Sequence, residues 1–449
     1  MVPAQEAQVV PVAQPAVVTL PDAVRECVLN NMKLKVGEEK IRSAQADYVT
    51  ESLIPNSQLL VDAQLLPLSA LDVVHQGGPP EYDAFLTVPI DWFLFGKRVA
   101  AQSAARLSVN VAQAELADLI RKQIAQTVDS FYDALEANLA LKLAEQRLVR
   151  YQQLENTAKE RTKGNETSSL EQRRISLTIL DIRRDIRKAR ATLESAKSKL
   201  RANMGRPPEA PDFVVEGTLA VRAIAPELTV AQAWALAEQH RPDLIAARRA
   251  IDAARAAISR EERRAFPQVA ISPGVDYQDQ VRITGFRNPW LWTAELTTTL
   301  PLTDRNQGHI MLAQTQLRSS QANLMAALTD ARAEVEQAIA EYTEAANGIT
   351  NEDIASLRTA RNVLDETVAA YRKGDKTLID ALDAENGYRD RQRANLANLA
   401  DYWQALNHVN AAVGQRVLVA LEADRDQVAE EKSSGPRSNE GHSDAEQTP

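Results

Sequence analysis

Two long stretches without proline constrain the fold of this chain more than any other feature. No proline occurs between Pro89 and Pro207, or between Pro301 and Pro436, and both stretches contain few glycines. Proline and glycine interrupt helices, whereas the alanine, leucine, glutamate and arginine that fill these stretches favour them. The pattern therefore predicts very long helices, and it disfavours a compact α/β enzyme.

Composition argues against several functional classes. The formal net charge of −9 disfavours a nucleic-acid-binding protein. The single cysteine, Cys27, cannot form an intrachain disulfide, and its place inside a predicted helix indicates a buried structural residue. The five histidines lack metal-site spacing, catalytic motifs are missing, and no apolar stretch is long enough for a transmembrane helix. The sequence thus predicts no enzyme, cofactor or metal site.

The chain contains an internal repeat of about 210 residues. Five short segments recur in the same order, with offsets of 210, 212, 208, 210 and 209 residues. The matching pairs are Thr19-Leu20 with Thr229-Val230, Leu53–Pro55 with Ala265–Pro267, Gln113–Leu116 with Gln321–Leu324, Lys163-Gly164 with Lys373-Gly374, and Met204-Gly205 with Val413-Gly414. Because the offset barely drifts, we interpret the repeat as a duplication.

Each half follows one plan of a helix, two strands, a very long helix, a tight turn and a return helix. The predicted helices are residues 21–53, 97–161 and 167–203 in the first half, and 229–265, 307–372 and 377–413 in the second. Helices of this length cannot bury their apolar stripes in one small core. They are expected to pack side by side, as a bundle or coiled coil.

Four segments alternate between apolar and polar residues, with the period of a β-strand. They cover about residues 57–66, 84–95, 268–277 and 291–302, close to the length of a tilted membrane-spanning strand. Aromatic residues lie near the strand ends, as in a membrane girdle: Trp92, Tyr277, Trp290 and Trp292. The alternative is a half-buried sheet in a soluble protein. Four strands cannot close a membrane barrel, so three chains would have to share one barrel of twelve strands.

Duplicated halves with long helices and paired strands resemble the TolC family of outer-membrane efflux proteins. The resemblance covers residues 19–417, and its motifs include Asp91–Arg98 and Tyr371–Asp383. It implies a mainly α fold with a small β part: a long-helix α-barrel joined to a trimeric 12-stranded transmembrane β-barrel. The expected organisation is a disordered segment 1–18, repeats at 19–205 and 229–417, an equatorial linker 206–228 and a disordered tail 418–449.

The resemblance also implies a pore aperture beyond the second turn. Asp380 and Asp383 are three residues apart on one helix face, so threefold symmetry would form two stacked carboxylate rings that favour cations. Tyr371 matches a tyrosine of the family's closing network, and Lys376 stands where the best-known member has arginine. The alternative is a solvated helix face. The turns themselves, with Lys163, Gly164, Lys373 and Gly374, would contact a periplasmic adaptor.

The predicted function is the outer-membrane channel of a tripartite efflux or type I secretion system, with a periplasmic helical barrel. Implied partners are two further copies of the chain, an adaptor (membrane fusion) protein, an inner-membrane RND or ABC transporter and outer-membrane lipid, but no nucleic acid. Leu300–Gly308 resembles the family's heavy-metal and cation efflux branch, although Asp304 or Asn306 could simply be a helix N-cap. The alternative function is a periplasmic coiled-coil scaffold without a pore.

Overall fold

The computed structural model describes residues 16–66, 79–163, 169–281, 285–349, 351–419 and 421–422. The first half contains β1 (Ala16–Val18), α1 (Leu20–Asn30), α2 (Met32–Ser52), β2 (Gln58–Gln64), β3 (Glu81–Pro89), α3 (Asp91–Leu94), α4 (Lys97–Lys163) and α5 (Ser169–Asn203). The second half contains β4 (Phe213–Val215), β5 (Val221–Ala223), α6 (Val230–His240), α7 (Pro242–Arg264), β6 (Val269–Gln278), β7 (Trp290–Thr298), α8 (Gln307–Asn347), α9 (Asn351–Lys373), α10 (Leu378–Val413) and β8 (Leu421–Glu422). None of the helices in these ranges combines the length and the apolar character that crossing a bilayer requires.

The chain forms two compact units, and each draws on both halves of the sequence. One unit, here called the helical unit, comprises residues 1–34, 120–241 and 331–449. The other, the sheet unit, comprises residues 35–119 and 242–330. The two halves therefore fold together rather than as successive domains.

The sheet unit contains one antiparallel sheet of four strands in the order β2-β3-β6-β7. The strands β2 and β3 come from the first half, and β6 and β7 come from the second. The central pair joins the halves, with Tyr82 opposite Tyr277 and Asp83 opposite Asp276. The strands β2 and β7 are left at the two edges of the sheet.

The main core of the helical unit surrounds the middle of α4. Phe131, Leu135, Tyr402 and Val413 are all buried there, and Tyr132 stacks on Trp403 with ring centroids 5.8 Å apart. A second core lies nearer the helix ends, where Tyr151 of α4 meets apolar residues of α5, α9 and α10. Buried alanines occur along α4, which is consistent with the close helix packing that the sequence predicts.

The predicted helices 21–53 and 229–265 are each broken into two, at equivalent positions. Asn31 ends α1 with φ −66° and ψ 119°, and Arg241 ends α6 with φ −67° and ψ 120°. Pro242 accounts for the second break, because a residue before proline avoids the helical conformation. Both side chains then donate to the end of a return helix: Asn31 Nδ2 to Asn203 O and Arg241 Nη1 to Ala412 O, each over 2.9 Å.

A left-handed glycine completes each of these junctions. Gly205 follows α5 with φ 73°, and Gly414 follows α10 with φ 84°. A Cβ atom on Gly205 would lie 2.6 Å from the backbone of Asn30, and one on Gly414 would lie 3.1 Å from the Cα of Arg241. Glycine is therefore required at both positions by backbone conformation and by close approach.

Several predicted boundaries are wrong. The segment 84–95 is not one strand, since β3 ends at Pro89 and Asp91–Leu94 turn into the short helix α3. The helix expected over 307–372 ends at Asn347 and resumes at Asn351.

Parts of the segments expected to be disordered or linking are also structured. Ala16–Val18 pair in parallel with Phe213–Val215, inside the expected linker. Val221 and Ala223 pair with Glu422 and Leu421, beyond the expected end of the fold. Val18 and Phe213 are buried in the main core, so hydrophobic burial orders the first of these pairs, β1 with β4.

Candidate functional site

The turn between α9 and α10 is the better described of the two predicted tips. Gly374 adopts φ 93°, its N–H donates to Tyr371 O over 3.1 Å, and the N–H of Asp375 donates to Ala370 O over 3.0 Å. This pair of bonds is the Schellman pattern, which satisfies the last carbonyls of a helix and needs a left-handed residue. Lys373, the last residue of α9, and Lys376 in the turn are both exposed.

Asp380 has a structural role at the start of α10. Its Oδ2 accepts hydrogen bonds from Thr377 N at 2.9 Å and from Thr377 Oγ1 at 2.7 Å, while Asp380 N donates to Thr377 Oγ1. This arrangement is a capping box. The hydrogen bonds from the Thr377 side chain and backbone hold the pKa of Asp380 below its usual value. Asp383, one turn further along, is exposed beside Arg391 and Val363 in a groove between α9 and α10.

Tyr371 is buried, and it holds the end of α9 in place. Its ring packs in the second core with Leu378 and Ala381 at the start of α10. Its hydroxyl donates to Glu171 Oε2 on α5 over 3.4 Å. Tyr371 thus lies between three helices at this tip, and its part in a closing network with Lys376 stays a prediction.

The first tip lies largely outside the described residues. Lys163 is the last residue of α4, and Gly164 falls in the segment 164–168 that the structure does not describe. The prediction that Lys163 and Gly164 contact an adaptor therefore stays a prediction.

The four-stranded sheet presents two chemically different faces. One face exposes apolar side chains from all four strands, including Leu59 and Val61 on β2, Leu86 on β3, Val275 on β6 and Leu296 on β7. The opposite face is mainly polar, and Asp62, Asp83 and Asp276 lie side by side across three strands. An exposed apolar face of this kind marks a surface that contacts something other than water.

Aromatic residues border the apolar face at one end of the sheet. Tyr82, Tyr277 and Trp290 form a row across β3, β6 and β7, with ring centroids 6.3 Å and 5.0 Å apart. Trp290 is 73% exposed and Trp292 is 83% exposed. Tyr82 was not predicted from the sequence, but its position opposite Tyr277 follows from the register.

Trp92 is placed differently from the other predicted girdle residues. It lies in α3, just past the opposite end of β3, and its indole Nε1 donates to Pro89 O over 2.9 Å. Its ring lies edge-on to Phe93 at 5.9 Å, and the guanidinium of Arg98 lies over it at 5.6 Å. An amphipathic ring with one satisfied polar atom suits an interface between apolar and aqueous surroundings.

The remaining candidates for chemistry are the single cysteine and groups of metal-binding side chains. Cys27 is free and fully buried in α1, as predicted for a structural cysteine. Within the described ranges, no group of three or more histidine, cysteine, aspartate or glutamate side chains could hold a metal ion.

The fold is that of solved outer-membrane channels. The chain superposes on CusC with a TM-score of 0.69, at 19% identity, covering 92% of this chain and 99% of that one. It also superposes on the CmeC outer membrane channel of Campylobacter jejuni with a TM-score of 0.70, at 14% identity, covering 92% of this chain and 89% of that one. These likenesses show that the chain shares its fold with solved outer-membrane channels.

Sequence comparisons identify the family. Residues 234–415 match the family model described as outer membrane efflux protein. Over 305 residues, 68% of each chain, the sequence is 25% identical to the cobalt-zinc-cadmium resistance protein CzcC of Cupriavidus metallidurans strain CH34. These matches bear out the predicted resemblance to the outer membrane efflux protein family. The same likeness supports the predicted location, in the outer membrane with helices in the periplasm.

Proposed function

We propose that the protein is the outer-membrane channel of a tripartite efflux or type I secretion system. Three copies would share one barrel of twelve strands, and their helices would form a periplasmic conduit. Transport through it is passive, and the energy comes from an inner-membrane RND or ABC transporter linked through an adaptor protein.

The observation that carries this proposal is the four-stranded sheet. Its exposed apolar face, bordered by Tyr82, Tyr277 and Trp290, suits the lipid side of a barrel. Its polar face, with the row Asp62, Asp83 and Asp276, suits a water-filled lumen. Open edges are not stable in lipid, so β2 and β7 would pair with neighbouring chains.

The matched geometry of the two helix breaks supports an origin by duplication. Asn31 and Arg241 share one backbone conformation, and both bind the last turn of the return helix in their own half. Two similar halves would give each chain two helical hairpins and two strand pairs, which is the composition that the trimer requires.

We place the periplasmic aperture beside the α9–α10 turn. Asp383 is exposed there, which suits a pore-lining carboxylate. Asp380 would add a second charge although it also caps α10. Buried Tyr371 would hold the closed arrangement, and Lys376 would lie nearby. Lys163, Gly164, Lys373 and Gly374 would form the adaptor contact.

We infer that the exported substrates include divalent metal cations. The relative CzcC is described as a cobalt-zinc-cadmium resistance protein, and acidic rings at the aperture would favour cations. Leu300–Gly308 resembles the same branch of the family. A cell lacking this protein should therefore accumulate these metals, and plasmid-borne wild-type protein should restore their efflux.

Bilayer recording tests the channel directly. Purified protein should run as a heat-modifiable trimer from outer-membrane fractions, and it should conduct cation-selective current in planar bilayers. Asp383→Asn should raise conductance and lower cation selectivity, because it removes one carboxylate ring. Asp390→Asn is the matched control, since Asp390 is also on α10 but binds Arg389. A soluble protein without conductance would support the coiled-coil scaffold instead.

A further inference from the structure

One end of the four-stranded sheet carries exposed apolar side chains just beyond the strands. At this end β3 leads into α3, while α2 and α7 lead into β2 and β6. On α3, Phe93 is 73% exposed and Leu94 is 54% exposed. Leu53, Ile54 and Phe266, which precede the two strands, are exposed as well. These five residues, here called the junction patch, mark a contact with an apolar partner, because large apolar side chains grouped on a surface are seldom left in water.

Aromatic rings hold the junction patch in place. Phe95, which follows α3, stacks on Phe266 with ring centroids 5.1 Å apart. Trp92 lies edge-on to Phe93 at 5.9 Å. Four rings from two distant parts of the chain therefore meet where β3 ends and β6 begins. Such ring pairs favour defined geometries, so the patch is a built surface rather than a set of loose side chains.

Two arginines lie over these rings. The guanidinium of Arg98 is 5.6 Å from the ring centroid of Trp92, and the guanidinium of Arg263 is 5.9 Å from that of Phe266. Each side chain donates to a backbone carbonyl, Arg98 Nε to Ser52 O over 2.7 Å and Arg263 Nη1 over 3.5 Å. In the part of the chain that the structure describes, no carboxylate pairs with either guanidinium.

The cations next to these arginines in the sequence are already paired. Lys97 Nζ lies 2.7 Å from Asp91 Oδ2, and Arg264 Nη1 lies 3.0 Å from Glu261 Oε1. The charges of Arg98 and Arg263 therefore stand apart from the local ion pairs. They remain available to an anion that comes from outside the chain.

We propose that the junction patch binds a phospholipid. Its acyl chains would lie against the exposed apolar side chains, and its headgroup phosphate would accept hydrogen bonds from Arg98 and Arg263. Guanidinium groups present paired N–H donors that match phosphate oxygens, and they stay charged. A cation over an aromatic ring suits the boundary between acyl chains and headgroups, because the ring is apolar and the charge reaches water. The patch adjoins the sheet whose apolar face we place against lipid, so this inference rests on the proposed function.

Lipid retention by the full-length protein tests the proposal. Protein in a non-ionic detergent is titrated with phosphatidylglycerol, phosphatidylcholine or diacylglycerol, and native mass spectrometry follows the most tightly bound molecule per chain. Both phospholipids should bind, and diacylglycerol, which lacks the phosphate, should bind about tenfold more weakly. Inorganic phosphate should not displace the phospholipids, because it cannot use the apolar side chains. Displacement by inorganic phosphate would indicate a free-anion site and would overturn the proposal, as would equal binding of diacylglycerol.

Two variants and one control make the test specific. Arg263→Gln, at an exposed position, should weaken the binding of both phospholipids about tenfold and leave diacylglycerol binding unchanged, since only the headgroup contact is lost. Phe93→Gln should weaken the binding of all three lipids. Arg249→Gln is the control and should bind like the wild type. Arg249 is also an exposed arginine of α7 that donates to a backbone carbonyl, Asn110 O over 2.9 Å, but it lies about 21 Å away along the helix.

The outcome for this site can be told apart from the outcome for the channel. Equal phospholipid binding in the wild type and all three variants would overturn the lipid site, even where the wild type conducts current in planar bilayers. A wild type that conducts no current, but loses its phospholipid on Arg263→Gln and not on Arg249→Gln, would reject the proposed channel and support the lipid site.

Discussion

Arg241 shows how one residue can hold three helices together. It lies between α6 and α7, and its side chain binds the end of α10. Its side chain is 1% exposed, and it reaches both Ala412 O at 2.9 Å and Glu334 Oε2 at 2.7 Å. Arg241→Ala would remove the donor to the carbonyl of Ala412 and the ion pair with Glu334. We expect a loss of about 2–3 kcal/mol in stability, seen as a lower Tm. Arg255→Ala should change the Tm little, because Arg255 is exposed and pairs only with Asp252 on its own helix.

His408 should make the stability of the helical unit depend on pH. Its Nε2 is 3.4 Å from Asp129 on α4, and its Nδ1 is 3.1 Å from Glu341 on α8. The hydrogen bond with Asp129, followed by that with Glu341, raises the pKa of His408 from 6.5 to about 9. The folded protein therefore holds this proton more tightly than the unfolded chain. The resulting stabilisation is complete below pH 6.5 and is lost as the pH rises through about 9.

The measurement for His408 is the Tm between pH 6 and pH 9.5. The wild type should lose stability across the upper part of this range, and His408→Gln should lose less of it. The size of the effect is limited because the histidine side chain is 42% exposed and is screened by solvent. His309→Gln, which alters an exposed histidine on α8, should behave like the wild type. Parallel curves for wild type and His408→Gln would refute the role of this pair.

At the scale of elements, the sequence predicts which helices and strands form better than it predicts the residues at which they end. The helices α4, α5 and α10 begin and end within a few residues of their predicted bounds, because glycine and helix caps mark those ends. Pro242 indicates the helix break at Arg241, whereas the residue after Asn31 is not a proline, so the sequence does not indicate the break there. The break at Asn31 depends on contacts with Gln123 and Asn203, which are distant in sequence.

Gly274 is the point on the sheet where an added side chain should be least tolerated. It pairs with Phe85 across β3 and β6, and a Cβ atom there would lie 2.7 Å from Cε1 of Phe85 and 2.9 Å from Ala84 O. The ring covers the glycine, so Gly274→Ala must displace it. The expected cost is about 1–3 kcal/mol, observed as fewer heat-resistant trimers. Gly308→Ala is the matched control, because a Cβ on Gly308 has no atoms within 4 Å. Equal trimer yields for both variants would show that the β3–β6 pairing is looser than described.

At the scale of the whole molecule, the unpaired edges of the sheet are its most consequential property. A sheet of four strands with one exposed apolar face cannot be stable alone in lipid, because β2 and β7 would leave backbone groups without partners. The two edge strands differ, since β2 lies at one end of the strand order and β7 at the other. Pairing β2 of one chain with β7 of the next is therefore a head-to-tail contact that every further chain can repeat. Such contacts close into a ring when the rotation between copies permits it. The number of copies in the ring is then a measurable quantity.

Cysteine cross-linking should count those copies. Leu59→Cys on β2 can be combined in turn with Trp292→Cys, Ala294→Cys or Leu296→Cys on β7, and treated with a short bis-maleimide; the native Cys27 is buried. At least one combination should give a covalent ladder that ends at three chains. Ala84→Cys with Val275→Cys is the control, since these residues face each other within one chain and should give only cross-linked monomer. A ladder ending at another number would reject the trimer. Cross-linked monomer from every β2–β7 combination would mean that each sheet closes on itself, which four strands are too few to do around a lumen.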